Sequence, residues 1–94
     1  MNILGDDQKA VSDVFARHGA PPVPESDIAY HEGMLGTPVL DGTLAHAECR
    51  VTARYDGGDH VIVVGQVADF AIDRPDDEPL LFFAGKYRTL APND

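Results

Sequence analysis

The run Ala45-His46-Ala47-Glu48-Cys49-Arg50-Val51-Thr52-Ala53-Arg54-Tyr55 decides the fold, together with His60-Val61-Ile62-Val63-Val64-Gly65-Gln66-Val67 beyond Asp56-Gly57-Gly58-Asp59. From 45 to 55 the odd positions are Ala, Ala, Cys, Val, Ala and Tyr, and the even ones are His, Glu, Arg, Thr and Arg. A period of two sustained this long predicts a strand with one buried and one polar face. The Asp-Gly-Gly-Asp stretch is turn chemistry, because glycine supplies the positive φ of a tight hairpin. From His60 to Ile72 a second strand resumes, apolar on both faces at Val61 to Val64, which predicts a central strand and not an edge.

Working outward, residues 6–18 carry a helical stripe. Val11, Val14, Phe15 and His18 recur at helical spacing, with Leu4 one heptad ahead of Val11. Asp6, Asp7 and the Gly5-x-x-Gln8 spacing suit a helix start, and Gly19 with Pro21, Pro22 and Pro24 a stop. Between Pro21 and Gly42 four prolines and three glycines predict a loop, with short extended pieces at Ile28–His31 and Met34-Leu35. Beyond the hairpin, Asp73–Glu78 reads as a charged loop and Pro79–Phe83 as a third strand. Gly85–Leu90 reads as a closing turn or strand, and the tail as frayed. One helix, a long hairpin and a third strand make one small α+β domain, and twisted hairpins of this length belong more often to barrels than to open sheets.

Charge and composition exclude several functions. The 94 residues hold 7 Lys+Arg against 16 Asp+Glu, a formal net charge of -9 that repels both a phosphate backbone and an anionic membrane. At 44% hydrophobic and 24% charged residues the chain has the balance of a folded domain. A domain this small buries only about 60–65% of its unfolded surface, so a partner subunit would help it. The single cysteine, Cys49, forms no intrachain disulfide and no cysteine metal cluster. With no signal-peptide pattern and no apolar run near the ~20 residues of a membrane span, a cytoplasmic location is expected.

Few residues offer chemistry. Ser12, Asp13 and His18 evoke a triad, but Ser12 sits on a helix flank without a nucleophile elbow, and a surface role is the better reading. His18, His31, His46 and His60 share no metal-binding spacing, so no metal is expected, and His46 is read as solvated on the polar face of its strand. Asp56, Asp59, Asp76, Asp77 and Glu78 lie in turns, where solvated charge outweighs paired-carboxylate catalysis. Gly33-x-x-Gly36 lacks the third glycine and the strand-to-helix setting of a dinucleotide fingerprint. Cys49 is assigned to the buried face, as structure and not as a reactive thiol. His60 differs, because it places an imidazole at a sheet rim straight after a flexible turn. It could exchange a proton near neutral pH, or simply stabilise the turn.

Three segments carry a family likeness: Leu44-Ala45-His46-Ala47-Glu48-Cys49-Arg50-Val51, then Gly58-Asp59-His60 through Gly65-Gln66-Val67, then Pro79-Leu80 through Gly85-Lys86-Tyr87-Arg88-Thr89-Leu90. With Asn2-Ile3-Leu4, Gln8 and Phe15-Ala16, the chain resembles the short-chain flavin reductases, the reductase components of two-component monooxygenases. The resemblance implies a mainly β fold with one or two helices, an FMN-binding split β-barrel of which residues 1–94 are the C-terminal portion. Met1 stands where that family reaches its Asn-x-Leu motif, so the first barrel strands and the loop for the flavin phosphate fall outside these residues. By the same resemblance, hydride passes from NADH or NADPH to FMN or FAD, within a homodimer that serves a partner monooxygenase. It would place Asn2, Ile3, Leu4 and Gln8 beside the flavin, His60 where nicotinamide meets it, and Tyr87 at the closing edge. A non-catalytic dimerising or flavin-binding remnant of the same barrel is the alternative.

Overall fold

The computed structural model describes residues 1–17, 19 and 28–91. The expected hairpin dominates it: β4 (Ala45–Asp56) pairs antiparallel with β5 (Val61–Ile72), from Ala45↔Ile72 at its base to Asp56↔Val61 at its tip. At the tip, Gly57 N–H donates to the His60 carbonyl at 2.9 Å, Gly58 takes φ 78°, and its N–H donates to Asp56 Oδ1 at 3.1 Å. The turn chemistry read from the sequence therefore forms as expected.

The two faces do not sort as the alternation predicts. Pairing shifts between Glu48 and Cys49, where Ala68 of β5 is the extra residue, and again between Val51 and Ala53, where Thr52 of β4 is, so the parity of β4 itself reverses only beyond Thr52. Ala47 is buried, but Val51 and Tyr55 on the same odd series are 49% and 57% exposed. On the even series Glu48 is only 2% exposed. Nor is β5 central: in the order β1-β4-β5 it is the edge, where β1 (Asn2–Ile3) flanks β4 on the other side. Its two-sided apolar character lies open, Val61 to Val64 being 45–59% exposed. The sequence feature that marks a strand covered on both faces is real, but nothing among the described residues covers it.

The helix is shorter than its stripe. Asp6 and Asp7 form a turn, and α1 runs Lys9–Phe15 with Gln8 as its N-cap residue. The Gly5-x-x-Gln8 spacing does place a contact, since Gln8 Oε1 accepts the Gly5 N–H at 3.0 Å. His18 of the stripe, and Pro21, Pro22 and Pro24, expected to end the helix, lie outside the described residues, as does the tail from 92 onward. The expected loop before Gly42 instead contains a hairpin, β2 (Tyr30–Glu32) with β3 (Pro38–Leu40), turning through Met34-Leu35. The third strand is β6 (Leu81–Phe83), which pairs with β7 (Lys86–Arg88) as a separate ribbon and not with the main sheet. Backbone bonds from Asp6 N to Glu78 O and from Leu80 N to Leu4 O tie this ribbon's start to the N-terminal segment.

Val39 and Ala47 are the only buried hydrophobic residues among those described, and they sit beside buried Gln8, Thr43 and Glu48. This small, partly polar core lies at the hairpin base, where β1, α1 and the β2–β3 hairpin converge. No described helix is long and apolar enough to cross a membrane.

Candidate functional site

A groove of about 590 Å³ opens at that base, lined by Asn2, Leu4, Ser12, Phe15, Ala16, Pro38 and Leu40. Each wall has a local cause. Alternation along the first strand sends Asn2 and Leu4 to one side and Ile3 to the other. One helical turn separates Ser12 from Phe15 and Ala16 on α1. Period two along β3 gives Pro38 and Leu40, with Val39 pointing into the core at 3% exposure.

Polar contacts fix this frame. Asn2 Oδ1 accepts the Leu40 N–H at 3.0 Å, which joins two walls and leaves the Asn2 amide nitrogen as a donor. Gln8 donates from Nε2 to the Asp41 carbonyl at 3.1 Å, so with Gly5 N–H on its other end it clamps backbone to backbone. At the rim the Tyr87 hydroxyl donates to Ser12 Oγ at 2.8 Å. Its ring packs edge-on against Phe82 with centroids 5.3 Å apart, and Lys9 Nζ stands 5.0 Å from its centre. Lys9 also pairs with Asp13 at 2.9 Å. That ion pair and then the Tyr87 hydroxyl hold the Asp13 carboxyl below its usual range.

Glu48 anchors the wall that carries Pro38 and Leu40. Its Oε1 accepts the Met34 N–H at 2.7 Å, and its Oε2 accepts the Leu35 N–H at 2.9 Å and the Thr37 hydroxyl at 2.7 Å. The Thr37 hydroxyl is the main reason its pKa lies below the ordinary glutamate value, and the two amides add to it against the opposing effect of burial. The carboxylate lies against Gly33, where a Cβ would collide with it. The alternation assigned Glu48 to a solvated face, and only its place beside Cys49 in the family-like segment singled it out.

Of the residues the sequence singled out, Asn2 and Leu4 line the groove and Tyr87 reaches its rim through Ser12. Ile3 faces a second, apolar groove of about 580 Å³, shared with Met1, Leu44, Val67, Phe70 and Ile72. Gln8 is absent from both linings. His60 is not brought to the groove at all: it sits at the hairpin tip, 68% exposed, its Nδ1 2.8 Å from Asp59 Oδ1. Ser12, read as a surface residue, is instead a groove wall. His46, read as solvated, has a side chain only 12% exposed, with Nδ1 3.2 Å from Asp73 Oδ2. His46, Glu48 and Asp69 bring ligand atoms within 4.8 Å of one another, a grouping made across the ladder and so invisible to linear spacing. With Glu48 holding three loop donors, the group reads as structural.

The hairpin with its flanking small ribbons is the architecture of a split-barrel flavin-binding fold. Comparison with known proteins gives the family: the profile of the flavin reductase like domain matches residues 1–91, and the chain belongs to that family. It is 35% identical over 94 residues to the reductase subunit HsaB of a flavin-dependent monooxygenase from Rhodococcus jostii, covering 99% of this chain and 46% of that one. To an NADH-dependent flavin reductase of a Rhodococcus species it is 37% identical, covering 96% of this chain and 48% of the relative. The solved NADH:FAD oxidoreductase SgcE6 of Streptomyces globisporus superposes with a TM-score of 0.87 at 33% identity, over 98% of this chain and 56% of that one. A second structure of that protein is in complex with NAD and FAD fragments. The chain thus spans about half the length of the relatives it matches.

The groove is compatible with the ring system of a flavin. Its volume lies within the few hundred to about a thousand Å³ usual for small-molecule sites. Its lining of Leu4, Phe15, Ala16, Pro38 and Leu40 suits a flat apolar body, with Asn2 and Ser12 as polar groups for a ring edge. For a phosphate, none of the groove-lining residues among those described is a cation, and Lys9 beside the rim is already paired with Asp13.

Proposed function

We propose that this chain supplies the ring-binding part of an NAD(P)H-dependent flavin reductase, acting as a homodimer in the cytoplasm on FMN or FAD and passing reduced flavin to a partner monooxygenase. The groove carries the reading: in a member of the flavin reductase family, an apolar slot of suitable size is framed by the Asn2 and Leu4 that the family likeness singles out. A flavin held there would supply the redox chemistry. The protein's own share is position and shielding. Leu4, Phe15 and Leu40 exclude water, Asn2 donates its remaining amide hydrogens, and Tyr87 with Ser12 closes one edge. His60, held from Nδ1 by Asp59 at the hairpin tip, does not reach this groove within one chain, and its place on the nicotinamide side rests on the family likeness alone.

Titrating FMN into the purified chain tests this. Saturable quenching of flavin fluorescence, followed by loss of NADH absorbance, is expected; flavin that stays spectroscopically free up to millimolar protein defeats the reading. Flavin that binds while NADH is not consumed favours a binding remnant of the same barrel, a reading supported by the lack of an unpaired cation for the phosphate among the groove-lining residues. Replacing His60 by Ala should lower turnover more than flavin affinity, and an equal loss in both would remove it from the nicotinamide side.

A further inference from the structure

We infer that His46, Glu48 and Asp69 bind one divalent cation of the zinc class, a structural ion that pins the Met34–Thr37 loop to the base of the β4–β5 hairpin. The inference stands apart from the flavin reading.

Two strands bring the three side chains together. His46 and Glu48 hold alternate positions on β4 and so share one face of the ladder. Asp69 of β5 pairs directly with Glu48 and joins that face. One ligand atom from each residue lies within 4.8 Å of the others. Metal bonds of about 2.1 Å hold two ligands at most about 4.2 Å apart, so side-chain movements under about 1 Å close the site.

Charge calls for a cation there. Like charges at directly opposed positions destabilise a ladder, and Glu48 faces Asp69. Glu48 is 2% exposed and Asp69 half-buried, so water screens the pair poorly. None of the ion pairs among the described residues includes either carboxylate. Arg50, next on that face of β4, is exposed and pairs with neither.

The ligands are preset for the task. Ionised Asp73 can only accept a hydrogen bond, and its Oδ2 lies 3.2 Å from His46 Nδ1. Nδ1 therefore carries the proton and Nε2 keeps its lone pair. A carboxylate behind the imidazole is the arrangement that orients metal-bound histidines. A carboxylate offers about four lone-pair positions. Glu48 uses two on Oε2, for Leu35 and Thr37, and one on Oε1, for Met34, which leaves Oε1 a place for an ion. One imidazole nitrogen with two carboxylate oxygens suits Zn²⁺ better than Mg²⁺, which takes oxygen ligands. Water fills the fourth position.

Thermal melting of the chelator-stripped chain, titrated with Zn²⁺ or Mg²⁺, tests the site. Zn²⁺ at about 100 times its Kd should raise Tm by about 10 °C or more, with one ion bound per chain in equilibrium dialysis. Mg²⁺ should leave Tm unchanged. Asp69→Asn removes a ligand and the repulsion together, so without metal it should melt no lower than the native chain, and Zn²⁺ should not raise its Tm. His46→Ala should lose the response as well. No rise in the native chain, an equal rise with Mg²⁺, or a full rise that survives in Asp69→Asn, as binding at His31 or His60 would give, overturns the inference. So does a metal-free Asp69→Asn chain that melts well below the native one.

Discussion

Replacing Glu48 by Gln should loosen the groove wall without touching the groove. In the native chain the carboxylate receives three donors: the amides of Met34 and Leu35 and the hydroxyl of Thr37. A glutamine keeps one oxygen and puts an NH₂ where the other stood. Oriented best, the oxygen keeps Leu35 and Thr37 and the new donor faces the Met34 N–H; oriented otherwise, it faces Leu35. One buried backbone donor loses its partner in either case, which in a domain of this size lowers Tm by about 5–15 °C. Melting followed by circular dichroism, with hydrogen exchange at amides 34 and 35, measures both effects. Because Glu48 has a folded-state pKa below that of the unfolded chain (about 4.3), its stabilisation is present above that value and lost as pH falls through the folded one. Asp7 and Asp13 shift in the same direction, but they are common to both proteins. The Tm gap between native and Glu48→Gln chains should therefore shrink between pH 7 and about pH 3. A variant that melts within 1–2 °C of the native chain, with unchanged exchange at 34 and 35, would refute the anchoring role.

Gly33→Ala should mimic that loss, because its methyl group would displace the Glu48 carboxylate; a Tm equal to the native value would count against the close approach. Tyr87→Phe removes the bond to Ser12 Oγ and should weaken FMN binding about three- to tenfold with little change in Tm. Fluorescence titration reads it, and an unchanged affinity would take Tyr87 out of the site. Val63→Asp puts a charge on the open face of β5 and should shift the chain from dimer to monomer in sedimentation; an unchanged boundary would show that this face is not the interface.

The long hairpin and its turn were legible because alternation and Asp-Gly-Gly-Asp act locally. The bulges at 48/49 and 51/53 were not, since an inserted residue leaves composition unchanged while exchanging faces. Glu48 and Val51 precede the inserted Thr52, and their faces follow what packs on them: the Met34–Thr37 loop covers Glu48, and nothing among the described residues covers Val51. Of the Tyr30–Glu32 and Pro38–Leu40 hairpin, the first strand was legible as the extended piece at Ile28–His31, whereas Met34-Leu35 forms the turn and Pro38 hid the second strand, although proline is tolerated at a strand's start. Of the residues named through the family likeness, Asn2 and Leu4 line the groove and Tyr87 touches its rim. Ser12 was missed because its role depends on Tyr87, 75 residues away. The Val61–Val64 run was read correctly as a strand but wrongly as a central one: among the described residues it is an edge, open on both faces.

The central claim, that a flavin ring lies in the Asn2–Leu4–Ser12 groove, meets its most direct test in an amide-resolved NMR titration with FMN. The account expects the largest shifts at Leu4, Ser12, Phe15 and Leu40, with Phe70 and Ile72 of the second groove nearly still. Shifts centred on Phe70 and Ile72, or none at saturating flavin, would contradict it.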